Sequence, residues 1–336
     1  MRKKDSIVFQ SPPAVLAWAA VGGKKEGEGP LSAMLDAKLE ENTLGENSWE
    51  TAESDLQSRA VQLTLQKAAC GPAGVDLVFA GDLQAQCTAS AYTMRGLDVP
   101  FAGLYGACST MAESLGLAAC FCGAGLAGKA MAVTSSHFCA AERQFRTPLN
   151  YGGKRTPTAQ WTATAAGCCL VGAAGKGPKV RAVTFGRVRD YEVVDINNMG
   201  AAMAPAAAQT ILNHLRALGT TPAQYDTIYT GDLGQVGSAL LGEILEREGV
   251  ALPNHQDCGL LLYDREMQKV QAGGSGCGCS AAVLCAHILP SLAAGREKRV
   301  LFIATGALMS QATFLQGESI PGIAHCVELT SGEETP

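Results

Sequence analysis

One nine-residue pattern occurs twice in this chain, each time in the same surroundings. Val75-Asp76-Leu77-Val78-Phe79-Ala80-Gly81-Asp82-Leu83 returns as Tyr225-Asp226-Thr227-Ile228-Tyr229-Thr230-Gly231-Asp232-Leu233. Each copy is a short apolar run closed by Gly-Asp-Leu, the pattern of a buried strand with a turn at its C-terminal end. Each follows a segment that reads as a helix. Ser48 can cap the first, with Glu50 in its opening turn and Gly71-Pro72 as its stop; Pro205 opens the second and Gly219 ends it. A second correspondence lies downstream. Residues 108–127 are a small, apolar helical stretch leading through Gly128-Lys129 into Ala130-Met131-Ala132-Val133-Thr134. Residues 280–294 lead likewise through Gly295-Arg296 into Arg299-Val300-Leu301-Phe302-Ile303-Ala304. Two correspondences in the same order indicate a duplicated unit.

Helices alternating with continuous apolar strands build a mostly parallel sheet covered on both faces, so the fold class is α/β. At 336 residues the chain is long enough for two such units. The expected organisation is an N-terminal half, residues 1–175, and a C-terminal half, residues 176–336, packed about a pseudo-twofold axis. With 47% hydrophobic and 17% charged residues a sizeable core can form, and 39 glycines beside 6% aromatics suit helices packed closely on sheet.

Composition also removes several function classes. A net charge of −5 leaves no basic stripe for nucleic acid. The 13 cysteines are odd in number, and most (Cys120, Cys122, Cys168, Cys169, Cys277, Cys279, Cys285) sit in apolar or Gly-rich runs. They read as free, buried thiols in a reducing compartment. Cys120-x-Cys122 and Cys277-x-Cys279 lack the two-residue spacer and neighbouring His of a zinc knuckle, so no metal is expected. Met1-Arg2-Lys3-Lys4 followed by residues 14–23 has the outline of a signal peptide. Asp5 and Pro12-Pro13 interrupt it, and Ile7-Val8-Phe9 reads better as a first strand. The uncharged runs 156–175 and 270–295 approach the ~20 residues of a membrane span. Their Thr and Gly content, with His287 and Pro290 in the second, reads as buried interior, and no transmembrane segment is expected.

Candidate binding residues cluster at the ends of the repeated strands. Gly106-Ala107-Cys108-Ser109-Thr110 places Cys108 and Ser109 at a helix start, where free N–H groups favour a thiolate or a ligand carboxylate. A core cysteine at a tight turn is the alternative. In the opposite half, the glycine-rich run holding Gly276, Cys277, Gly278 and Ser280 could turn N–H groups toward a ligand, or merely let helix and strand pack closely. Ser136 and His137 follow a strand end, where ligands of open α/β sheets gather; a satisfied core imidazole is the alternative. Arg143 and Arg146, three apart, could clamp a carboxylate, or pair with Glu142 or another acid.

These strings resemble the thiolase superfamily and, more narrowly, the stage V sporulation protein AD family. The narrow resemblance is carried by Ala80-Gly81-Asp82-Leu83, by residues 101–110, Thr134-Ser135-Ser136-His137, residues 141–146 and Tyr151-Gly152-Gly153. It continues through residues 199–208, Thr230-Gly231-Asp232-Leu233, and residues 272–281, 304–308 and 318–321. It implies a duplicated five-layer α-β-α-β-α thiolase-like fold. It also implies a sporulation role: binding dipicolinic acid, pyridine-2,6-dicarboxylate, for uptake into the developing spore and release at germination. The implied partners are membrane proteins of the same system, and the implied location is the cytoplasmic face or periphery of the forespore or spore inner membrane. The resemblance leaves open whether calcium accompanies the ligand and whether the chain forms the homodimer common among thiolases.

Thiolases and ketoacyl synthases need a nucleophilic Cys, a proton-handling His, a second His or Asn, and N–H groups for the oxyanion. Cys108 stands where the resemblance puts the nucleophile. Where those enzymes place a His, this chain has Asp232, whose charge would raise the thiol pKa. The later Asn or His position falls within residues 276–280, which contain neither, and His214, His255, His287 and His325 lie off the motif. His137 belongs to the other half. The expectation is therefore a binding protein that performs no reaction and carries no cofactor. Its dianion would be held by the helix starts at Cys108 and Ser280 with Arg143, Arg146 or His137, and its flat ring by a slot of small residues; no dedicated calcium loop is present. Two other readings are a residual acyltransferase or thioesterase using Cys108, and a docking subunit with a vestigial pocket.

Overall fold

The computed structural model describes residues 1–145 and 155–332. The repetition of sequence is a repetition of topology. β1 (Ala14–Gly22), β2 (Leu77–Gly81), β3 (Phe101–Leu104), β4 (Lys129–Ser136) and β5 (Ala165–Gly172) lie across the sheet in the order β3-β2-β4-β5-β1. β6 (Lys179–Thr184), β7 (Thr227–Thr230), β8 (His255–Asp257), β9 (Arg299–Ala307) and β10 (Gly322–Thr330) lie in the order β8-β7-β9-β10-β6, the same arrangement strand for strand. In each set the last strand runs antiparallel to both neighbours while the other four run one way. β1 and β6 join antiparallel at Ala14↔Lys179, so one sheet runs through the molecule.

Helices fill three layers around it. α1 (Trp49–Lys67) and α2 (Thr88–Leu97) cover the outer face of the first set of strands, sharing a core with Val78, Met131 and Leu170. α3 (Thr110–Gly123) lies centrally, packed on β2 and β4 on one side and β9 and β10 on the other. α4 (Phe138–Phe145) follows β4, and α5 (Met199–Leu218) and α6 (Gly234–Arg247) cover the far face, around Ile228, Leu301 and Ile303. α7 (Cys277–Val283) completes the central layer beside α3. A helix buried on all sides must be apolar all round. α3 meets that demand with Met111, Ala112, Leu115, Ala118 and Ala119, none of them exposed. The expected duplicated, five-layer α/β architecture is the one the chain adopts.

Local chemistry sets the element ends. Ser48 caps α1, its hydroxyl accepting from the Thr51 N–H at 3.2 Å, and Gly219 closes α5 in the left-handed region at φ 68°. The expectation that Pro205 opens α5 is corrected. The helix begins at Met199, and Pro205 sits inside it, forgoing the N–H bond that would reach the Ala201 carbonyl. Asn198, a residue type favoured just before a helix, stands at the true start, although its side chain makes no capping hydrogen bond. The central first strand is likewise residues 14–22, the run with the outline of a signal segment, while Ser6–Val8 is a short strand paired beside β6. Among the described residues no helix is long and apolar enough to cross a membrane. Within residues 270–295 the helical run is broken by a π-helical turn at Leu284–Ile288, just before Pro290. Proline cannot donate to the carbonyl four residues back, and a wider turn relieves the clash.

The second half also carries an acid-sensitive contact. The Gly186 N–H donates to Nδ1 of His325 at 3.1 Å, so that nitrogen must be unprotonated. Burial pushes the imidazole down to about 4 from an ordinary 6.5. Between those values the unfolded chain binds a proton that the fold excludes. The stability is therefore full above 6.5 and drains as the pH falls toward 4. His325→Gln supplies an acceptor that does not titrate. It is expected to flatten the acid loss of melting temperature, removing a slope of up to about 1.4 kcal/mol per pH unit. Parallel pH profiles of the two proteins would contradict this.

Candidate functional site

After β3 the chain turns through Tyr105 and Gly106 to Ala107, held left-handed at φ 53°, and Cys108 follows in the 3-10 turn Ala107–Ser109 that leads into the central helix α3. The second half does the same: Gly276, at φ 104°, precedes Cys277 at the start of α7. The first of these turns opens on a cavity. It measures about 280 Å³ and is walled by Leu83, Met199, Ala307, Leu308 and Met309. Cys108, Tyr105, Thr162, Ser275, Ser310 and Thr313 are its polar lining, with no lysine, arginine or histidine among the lining residues.

Behind the thiol lies a buried acid with a full set of donors. Cys108 Sγ is 3.8 Å from Ser275 Oγ. Ser275 donates to Asp232 Oδ2 at 3.0 Å, and the Gly276 N–H to the same oxygen at 2.9 Å. The Thr305 hydroxyl donates to Oδ1 at 2.8 Å. The Gln160 amide ties the assembly together, donating to the carbonyls of Asp232 (2.6 Å) and Gly274 (2.9 Å). Asp232 has no exposed surface. Burial pushes the Cys108 thiol well above its ordinary value, and the neighbouring Asp232 adds to the effect by charge repulsion and by accepting the thiol hydrogen. The direction expected from the sequence is correct; its larger cause, burial, was not legible there. Asp232 is itself raised by burial, against the opposing bonds from Cys108, Gly276, Thr305 and Ser275.

Each of the five imidazoles is engaged elsewhere. His137 Nε2 lies 2.9 Å from the Asn42 carbonyl, with its ring stacked on Trp49. His214 sits between Thr184 and Glu328, and His255 is 2.8 Å from Thr230. His287 is 3.5 Å from the Tyr229 hydroxyl, and His325 holds Gly186.

The residues nominated from sequence divide sharply. Cys108 lines the cavity, with Asp232 and Gly276 directly behind it. Ser109 is turned away, donating to the Gly106 carbonyl at 2.6 Å. Ser136 donates to the Ala163 carbonyl (2.7 Å) and accepts from the Gly278 N–H (3.2 Å), so both are spent on packing. Cys277 donates to the Ser135 carbonyl at 3.0 Å and Ser280 to the Cys277 carbonyl at 3.3 Å. The expectation that Arg143 and His137 share the pocket of Cys108 is not met. Arg143 pairs with Glu50 in a separate depression beside Ser48 and Trp49, because α4 packs against α1. Glu142, the other partner considered for it, instead binds Arg155 at 2.8 Å and Thr162 at 3.1 Å. Arg146 lies outside the described residues. The cleft wall of Leu83, Met199, Leu308 and Met309 was not anticipated; its residues come from separate loops and share no periodic signal. Ser275 and Tyr105 were findable, since each adjoins a glycine at the end of a repeated segment.

Comparison with known proteins places this geometry in a family. The sequence model described as Stage V sporulation protein AD matches residues 3–330. The stage V sporulation protein AD of Bacillus subtilis strain 168 is 42% identical over 325 residues, covering 96% of each chain. Among solved structures, cerulenin-bound OleA of Xanthomonas campestris aligns with a TM-score of 0.61 at 14% identity, over 98% of this chain and 99% of that one. The 3-oxoacyl-(acyl-carrier-protein) synthase III of Aquifex aeolicus VF5 aligns with a TM-score of 0.57 at 12% identity, over 95% and 99%. At such identities the likeness is one of fold, and the fold is thiolase-like.

Proposed function

The chain belongs to the Stage V sporulation protein AD family, and from that premise we propose that its Cys108 cleft holds dipicolinic acid without transforming it. The protein would load the developing spore with this dianion and release it at germination. It would do so docked peripherally, at the cytoplasmic face of the spore inner membrane, on membrane proteins of the same system. One observation carries the non-catalytic reading: where acyl transfer uses an imidazole beside the thiol, this cleft has Asp232, a buried carboxyl held by Ser275, Gly276 and Thr305 that raises the thiol pKa instead of lowering it. Thiol chemistry requires the thiolate, and here both burial and the acid keep the proton on sulfur. The apolar wall suits a flat ring. Among the described residues the lining holds no cation, and there the carboxylates meet uncharged donors, each about half as strong as a charge-assisted one.

Calorimetric titration with dipicolinate tests this reading on the wild type and on Met199→Trp, which fills the cleft from the first turn of α5. Saturable binding weakened about tenfold or more by the tryptophan is expected. No saturable signal at about millimolar ligand would reject the proposal. A second reading, residual acyl transfer through Cys108, draws on the same wall of Leu83, Met199, Leu308 and Met309, which would also accommodate an acyl chain. It requires a mass increase on the Cys108 peptide after incubation with acyl-CoA, and the proposal expects none.

A further inference from the structure

We propose that the cavity formed by Lys24, Lys25, Glu26, Asn42, Trp161 and Thr164 is a second ligand site, for a small carboxylate anion, back to back with the Cys108 cleft. This cavity measures about 290 Å³. Two ammonium groups stand in its lining, where the described lining of the cleft has none.

Its walls are held in place. Lys25 Nζ donates to the Gln268 carbonyl at 2.7 Å and rests 4.4 Å from the centre of the Trp161 ring. Trp161 in turn stacks on Phe138, centroids 4.0 Å apart, and the Arg155 guanidinium lies 5.0 Å from both rings. Cations fixed this way lose little freedom when a ligand arrives.

The floor carries an unfinished hydrogen bond. Glu26 is 1% exposed. Its Oε1 accepts from the Thr164 N–H at 3.1 Å and from the Tyr263 hydroxyl. Its Oε2 is buried with no hydrogen-bond partner among the described residues. Burial raises the Glu26 pKa, favouring the protonated form. With Oε1 taken by two donors, the proton belongs on Oε2, and a buried O–H with no acceptor is costly. A carboxylate in this cavity supplies the countercharge for Lys24 and Lys25. The same burial lowers the Lys25 pKa, which an anion would restore. Glu28 on the rim opposes the anion but is exposed and screened by water and salt.

The site also reaches the cleft through two residues of strand. Trp161 and Thr162 pair in parallel with Gly274 and Ser275. Neighbours on a strand face opposite ways. Trp161 accordingly lines the lysine cavity, while Thr162 and Ser275 line the cleft, with Ser275 next to the Cys108 sulfur. An occupant on one side steadies the ladder that forms the other, and any such coupling must be mutual.

Calorimetry with dipicolinate as the probe, at low salt, compares wild type, Lys24→Met/Lys25→Met and the cleft-filling Met199→Trp, each first shown to melt cooperatively. Two equivalents per wild-type chain and one in each variant is the expected pattern, with about tenfold or greater weakening for each lysine lost. If the double lysine variant binds as many equivalents as tightly as wild type, the second site is overturned, whatever the cleft variant does. A single wild-type equivalent that the lysine variant loses and Met199→Trp keeps would uphold this site and reject the cleft as the ligand's seat. No binding in any protein would reject both.

Discussion

Gly278→Val is expected to lower the melting temperature by roughly 3–6 °C, the largest effect on stability of any single substitution considered. A Cβ at this position would fall 2.2 Å from the Ala165 carbonyl oxygen, 2.6 Å from Ser136 Oγ and 2.7 Å from the Ser136 nitrogen. None of these atoms can give way. Two belong to the backbone of β4 and β5, and the third is a buried hydroxyl already donating to Ala163. Overpacking of this kind costs about 1–3 kcal/mol and occasionally more. Separating α7 from the sheet also breaks the Gly278 N–H bond to Ser136, worth about 1 kcal/mol. The control is Gly242 in α6, which has nothing within 4 Å. Gly242→Ala should be neutral or raise stability by about 0.5–1 kcal/mol. If Gly278→Val melts with the wild type, the central layer is not packed as closely as described.

Asp232→Asn carries the second large effect, on reactivity rather than on stability. Asparagine can place its oxygen where Ser275 and Gly276 donate and its amide toward the Thr305 hydroxyl, which can rotate to accept. The fold should therefore survive with a loss of about 1–2 kcal/mol. The repulsion that helps hold the proton on Cys108 disappears. At a fixed mildly alkaline pH, alkylation of Cys108 should then run several-fold faster, about tenfold at most, than in the wild type. An unchanged rate in a folded variant would mean that burial alone controls the thiol.

Much of the architecture could be read before any coordinates. The strand-Gly-Asp-Leu pair survives in both halves because it does the same job twice. Gly81 ends its strand and Gly231 directly follows the equivalent one, and the carboxylates after them are both buried among hydroxyl and N–H donors. Cys108 was legible for a related reason, since a thiol between small residues at the start of an apolar helix has few other places to be. The remainder of the site was not, because it rests on contacts between distant segments. Arg143 meets Glu50, far back along the chain, only because α4 packs on α1. Ser136 and His137 do follow a strand end, as the rule for open sheets requires, yet Gly278 and Asn42 cover them. The ladder of Trp161–Thr162 with Gly274–Ser275 is two residues long. Alternation has no length over which to show itself there, yet this ladder divides one cavity from the other.

The central claim is that the cleft keeps its thiol protonated and so holds rather than transfers. The rate of carbamidomethylation at Cys108, followed by peptide mass spectrometry from about pH 6 to pH 10, tests it most directly. The account predicts a rate that is slow at neutrality and still climbing at the top of the range, as burial and Asp232 require. A rate that levels off below about pH 8 would reveal a thiolate ready at physiological pH, and the cleft would have to be regarded as an acyl-transfer site.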